Sequence, residues 1–309
     1  MATEGTFGLD DFGDLADVIG AVPAVGASLA RTVGAIRAVA ERRRRNLTRR
    51  SRTVPEVLGL STELDWHYWL PTAHPATDGL ELRDADVDAL EAAIGAETAG
   101  ALSLYGGVAD FGDPRDALED SLMLIGSPES EPLTRLIFGY QTRDDGHGTR
   151  FKGGTVPLVY RWEEELDAGK PILYCRHQRS NGVIAVRPNW PLVVADGSLV
   201  PRYPSLTRHG ELAEDFLLIT SVPNFISESA LRSGAQIVSI AGLHGIGTSA
   251  ALTLVRSDAA VESLSQRLQA LPARRSGVQV VVRVTQVATD STGATRAASV
   301  HVEDVVAIT

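Results

Sequence analysis

Two stretches constrain the fold more than anything else in this chain. Near residues 122–134 and again near 237–251, an unbroken apolar run of strand type ends at a glycine, passes through hydroxyl residues and enters a helix-forming segment. A continuous run of branched apolar residues suits a strand covered on both faces. Gly and hydroxyls leading into a helix are how α/β proteins aim backbone N–H groups at a ligand from a strand's carboxyl end. The pair predicts an α/β chain with a site between two strand-end loops.

The second loop carries the fuller signal. Gly242, Gly245 and Gly247 allow close backbone approach, and Thr248 falls near a helix start with its hydroxyl able to cap or bind. Its spacing, G-x-x-G-x-G-T, is neither the dinucleotide fingerprint nor a Walker loop, because no Lys follows the last Gly. An ordinary P-loop ATPase is therefore disfavoured, while an anion nest remains. His244 is the candidate general acid or cationic contact, and the competing reading is a tight turn that His244 merely caps.

The first loop offers Gly126, Ser127, Glu129, Ser130, Glu131 and Thr134. A carboxylate at such a loop can hold ribose hydroxyls or stabilise an oxocarbenium ion, so Glu131 is the candidate catalytic residue for cleavage of a nucleotide-like ligand. Acids in a first helical turn also serve the helix dipole alone. Asn224, after the apolar run 216–220, is a third binding candidate, with loop fixation as its alternative.

Around these loops the pattern predicts helices at 84–94, 133–140 and 259–271, and strands at 101–105, 155–160, 171–175, 215–220, 278–287 and 299–308. Residues 176–210 are rich in Pro and Gly and read as an irregular excursion with short strands at 183–186 and 192–194. The expected architecture is Rossmann-like: a mainly parallel sheet over 55–309 with helices on both faces, preceded by a helical, Arg-rich arm over 1–54.

The arm rests on a seven-residue period. Leu15, Val22, Leu29 and Ile36 repeat at one position, and Val18, Val25, Thr32 and Val39 three residues later, an a/d seam over nearly four heptads. Pro23 and Gly20, Gly26 and Gly34 weaken it, so the helix needs a partner: another subunit, the chain's own body, or a membrane surface. A homo-oligomer built through residues 15–40 is the leading expectation. The uncharged stretch 18–30 is only 13 residues, below the ~20 needed to span a bilayer.

Charge divides the chain in two. Its net charge is −10, yet residues 31–52 hold nine Arg against one Glu, leaving −18 on the remainder. Residues 42–52 could contact phosphate on a membrane or a nucleic acid, although no aromatic is interleaved for base stacking; a solvated hinge is the preferred reading. Cys175 is the single cysteine and the seven His are dispersed, so neither a disulfide framework nor a metal site is expected. With no signal-like amino terminus, cytoplasmic residence is expected, with membrane association as the variant.

Three stretches together resemble a group of bacterial and archaeal proteins that pair an I-G-G-P-x-x-N-x-x-T loop with a P-N-P-F turn and an A-G-x-x-G-x-G-T-x-A-A loop. The matching residues here are Ile125 to Thr134, Pro223-Asn224-Phe225, and Ala241 to Ala251. The chain departs from that pattern in having Ser127 for Gly, Glu131 for Asn, and Phe225 directly after Asn224. The resemblance covers roughly residues 120–255 and implies Rossmann-like modules beside regulatory or surface domains. Two functions follow as expectations: binding, extending to hydrolysis, of a nucleotide-like or anionic small molecule between the loops, or a non-catalytic sensor or scaffold assembled through the arm.

Overall fold

The computed structural model describes residues 52–61, 66–69, 84–95, 118–128, 130–142, 149–151, 154, 156–160, 174–178, 184–188, 192–194, 202–209, 211–272, 276–289 and 295–309. The heptad seam, the Arg run up to residue 51, and the strand expected at 101–105 lie outside the described residues.

The chain enters through α1 (Val54–Leu58), whose start is fixed by a capping box: the Thr53 hydroxyl accepts from Glu56 N–H while the Glu56 carboxylate accepts from Thr53 N–H. Gly59, at φ 71°, ends it in the left-handed conformation glycine adopts freely. The strand β1 (Trp66–Trp69), outermost among the described strands, and the helix α2 (Asp84–Ile94) follow, then the fully buried strand β2 (Ser121–Ile125) and the short helix α3 (Pro132–Ile137).

Small strands come next: β3 (Tyr140–Thr142) with β4 (Thr149–Phe151), β5 (Leu158–Tyr160) with β8 (Leu192–Val194), and β6 (Tyr174–Gln178) with β7 (Ile184–Pro188), each pair antiparallel. The described residues of the irregular excursion form parts of two antiparallel ribbons, β5 with β8 and β6 with β7. Strand β9 (Ser205–Leu206) leads into the regular part: β10 (Leu212–Pro223), α4 (Glu228–Ser233), β11 (Gln236–Gly242), α5 (Gly245–Arg256), α6 (Asp258–Gln269), β12 (Gly277–Thr289) and β13 (Thr295–Ile308).

The main sheet runs β1-β2-β11-β10-β12-β13, with β9 beside β10. Strands β1, β2 and β11 are mutually parallel, whereas β10 is antiparallel to both β11 and β12, and β12 to β13. The sheet is mixed rather than mainly parallel. The five residues that join β12 to β13 allow only a hairpin, while the twelve that join β10 to β11, with the six-residue α4 among them, return the chain in the opposite direction. The long α5–α6 connection does cross over β10, returning β12 in the direction of β11.

Alternate residues of each central strand face opposite cores. Met123, Ile125, Leu217, Ile219, Val238, Ile240, Val280 and Val282 point to one layer, which α1, α2, α5 and α6 cover. Leu122, Leu124, Phe216, Leu218, Ile237 and Val281 point to the other, covered by α3 and residues of β3 and β5. Among the described residues the longer helices lie on one face and the short α3 on the other. Leu254 of α5 and Leu264 of α6 are fully buried, each contributing about 2 kcal/mol by the area removed from water. Ion pairs Arg256–Glu91 and Arg296–Asp88, the latter 3.4 Å, tie α5 and β13 to α2.

Candidate functional site

Because β2 and β11 are adjacent and parallel, with Ile125 opposite Ile240, the two loops emerge side by side at one end of the sheet. Gly126, at φ 121°, donates its N–H to the Ile240 carbonyl at 3.0 Å and locks the first loop against β11. That register sets Gly126 and Ser127 beside Gly242 at one sheet end, but the helices the loops enter part to opposite faces: Leu133 and Ile137 of α3, after Glu131, join one core, and Ile246 and Ala250 of α5, after His244 and Gly245, join the other.

The first loop is closed on itself. The Ser127 carbonyl accepts from Ser130 and Glu131 N–H, each at 2.9 Å, and the Pro128 carbonyl from Arg135 Nε at 2.9 Å. Glu131 is the N-cap of α3, its carboxylate accepting from Thr134 N–H, and it is only 4 % exposed. Burial pushes its pKa above the ordinary carboxylate value, offset in part by the Thr134 and Leu133 N–H groups and by Arg135. The Thr134 hydroxyl is near enough to favour the charge, yet it lacks hydrogen-bond geometry to any neighbour.

The second loop contains its own anion. Asp215, at the lower end of β10 and 0 % exposed, accepts from Gly247 N–H at 2.7 Å and His244 N–H at 3.2 Å through Oδ2, and Oδ1 meets His244 Nδ1 at 3.1 Å. A carboxylate at the N-terminus of a twelve-residue helix is favoured by the helix dipole, and here it also fixes the imidazole. Thr248 turns inward, its hydroxyl accepting from Gly242 N–H at 3.0 Å and lying 3.4 Å from the His244 carbonyl. Leu243 N–H donates to the Phe216 carbonyl and Thr248 N–H to His244.

The glycines serve this packing. A Cβ on Gly242 would overlap Thr248 N and the His244 carbonyl, and one on Gly247 would overlap the Phe216 carbonyl. Gly245 is different, since a Cβ there would sit at ordinary contact, 3.5 Å from Ala85 Cβ. None of the three has a positive φ angle, so close approach rather than a left-handed turn explains Gly242 and Gly247.

Asn224 is placed at the other end of the sheet. Pro223 pairs with Gln236, and Asn224 N–H donates to the Ala235 carbonyl at 2.7 Å, so β11 separates it from Gly242 by about 20 Å of strand. Its Nδ2 donates to the carbonyls of Leu118, 2.8 Å, and Asp120, 2.7 Å, and its Oδ1 accepts from Ile226 N–H at 3.0 Å. Asn224 is a loop anchor; the antiparallel course of β10 removes it from the expected site.

Asp215, Tyr160 and Gln279 carry much of the local order, and none stood out in the sequence. The one signal for Asp215 is an acid opening an otherwise apolar strand. Tyr160 OH donates to the Ala241 carbonyl, and its N–H to Tyr140 Oη at 2.9 Å. Burial first, then the charges of Tyr140 and Asp215, raise the Tyr160 pKa well above its ordinary value. Gln279 pins β5 to the sheet, exchanging bonds with the Leu158 N–H and carbonyl at 2.7 and 3.0 Å and donating to Thr220 Oγ1 at 3.0 Å.

Beneath the first loop these residues leave a cavity of about 10 Å³, bounded by Pro128 and Thr134 on one side and Ser239, Ala241 and Gln279 on the other. That is room for about one water molecule, not a nucleotide. Among the described residues no group of three His, Cys, Asp or Glu could hold a metal ion, and no helix is long and apolar enough to cross a membrane. No protein-family model, curated protein or solved structure matches the chain.

Proposed function

We propose that this chain is a non-catalytic scaffold or sensor whose α/β body carries an assembling N-terminal arm. One observation carries the reading: the anion position at the start of α5 is filled by Asp215 of the same chain, fully buried. The N–H groups of Gly242, Leu243, His244, Gly247 and Thr248 all have acceptors within the protein. Glu131 likewise spends its carboxylate on its own helix. The assembling role is supported by the heptad period over residues 15–40.

The competing reading is a Rossmann-like site for a nucleotide-like ligand, with Glu131 and His244 as reacting groups. It is favoured by the parallel neighbours β2 and β11, which present both loops at one sheet end. Two measurements separate the readings. Under the scaffold reading, a panel of nucleotides and inorganic phosphate leaves the melting temperature unchanged. The full chain carrying Leu29→Asp and Ile36→Asp then sediments with a smaller mass than wild type. A concentration-dependent stabilisation by any nucleotide, which a ligand of the folded state must produce, or an unchanged mass in the variant, refutes it.

A further inference from the structure

We draw no further inference here: the strongest candidate, the surface formed by the exposed side chains of Phe225 and Leu231 on the connection between β10 and β11, carries nothing because nothing in the structure shows what covers it.

Discussion

Replacing Asp215 by Ala removes the acceptor for two backbone N–H groups and one imidazole nitrogen in a fully buried position. Each buried donor left unpaired costs about 1–3 kcal/mol, and loss of a carboxylate from a buried helix N-terminus about 1–2 kcal/mol more. The two backbone donors alone set an expected loss of about 2–6 kcal/mol for Asp215→Ala. Asp215→Asn keeps the shape but turns one acceptor into a donor facing a donor, with an expected loss of about 2–3 kcal/mol. Urea unfolding reads both, with an unchanged denaturant slope showing that the native state stays compact. The alanine variant also vacates an anion position lined by N–H groups, so acetate or formate should raise its midpoint and leave wild type unmoved, following RT ln(1 + [L]/Kd). A loss below about 1 kcal/mol, or equal anion stabilisation of wild type, would refute the view that Asp215 fills the nest.

Three further outcomes follow. Gly245→Ala is expected to be neutral or to stabilise by about 0.5–1 kcal/mol, as Ala in place of helical Gly does, because its Cβ meets only Ala85 at 3.5 Å; Gly247→Ala, overlapping the Phe216 carbonyl, should yield little folded protein by circular dichroism. Asn224→Ala, which abandons two side-chain donations and one acceptance, should cost about 2–4 kcal/mol in urea unfolding while amide chemical shifts at residues 242–248 stay fixed. Glu131 has a raised folded-state pKa. Its contribution to stability is therefore full below the unfolded value, about 4.3, and is lost as pH rises through the folded value. Glu131→Gln keeps the cap oxygen and should flatten that decline, gaining on wild type in urea midpoint as pH rises above about 4; an unchanged pH slope would count against a strained charge there.

Apolar runs made the central strands legible: the run that opens the stretch 237–251 is the strand Gln236–Gly242, and the periodicity over 84–94 is the helix Asp84–Ile94. Their neighbours were also legible in outline, because two loops after buried-type strands do lie together. Strand direction was legible only between β12 and β13, whose five-residue span favours reversal; the twelve residues between β10 and β11 are compatible with either direction. The helix expected over 133–140 stops at Ile137 because Gly139 takes a φ of 74° and Tyr140 turns into β3. Asp215 could not be foreseen, since local pattern says nothing about which side chain a distant strand will deliver to a glycine loop. Asn224 misled for the same reason: its place in the site depended on β10 running the other way.

A glycine-rich loop at a helix start is neutral evidence until the acceptor of its N–H groups is known. In a ligand-binding nest the chain leaves those donors to water, which the ligand displaces. Here the acceptor is covalently tethered, and an intramolecular partner acts at an effective concentration of millimolar or more. A free phosphate would have to outcompete a carboxylate that is held by three hydrogen bonds, desolvated, and packed below Gly247. The same residues that suggested a phosphate site are then the means by which α5 is anchored to β10. That anchoring holds the start of the crossover that returns the chain as β12, the structural role the scaffold reading gives this loop. On the scaffold reading proposed above, recognition of a partner would fall to the arm, where nine Arg in residues 31–52 stand against −18 on the remainder of the chain.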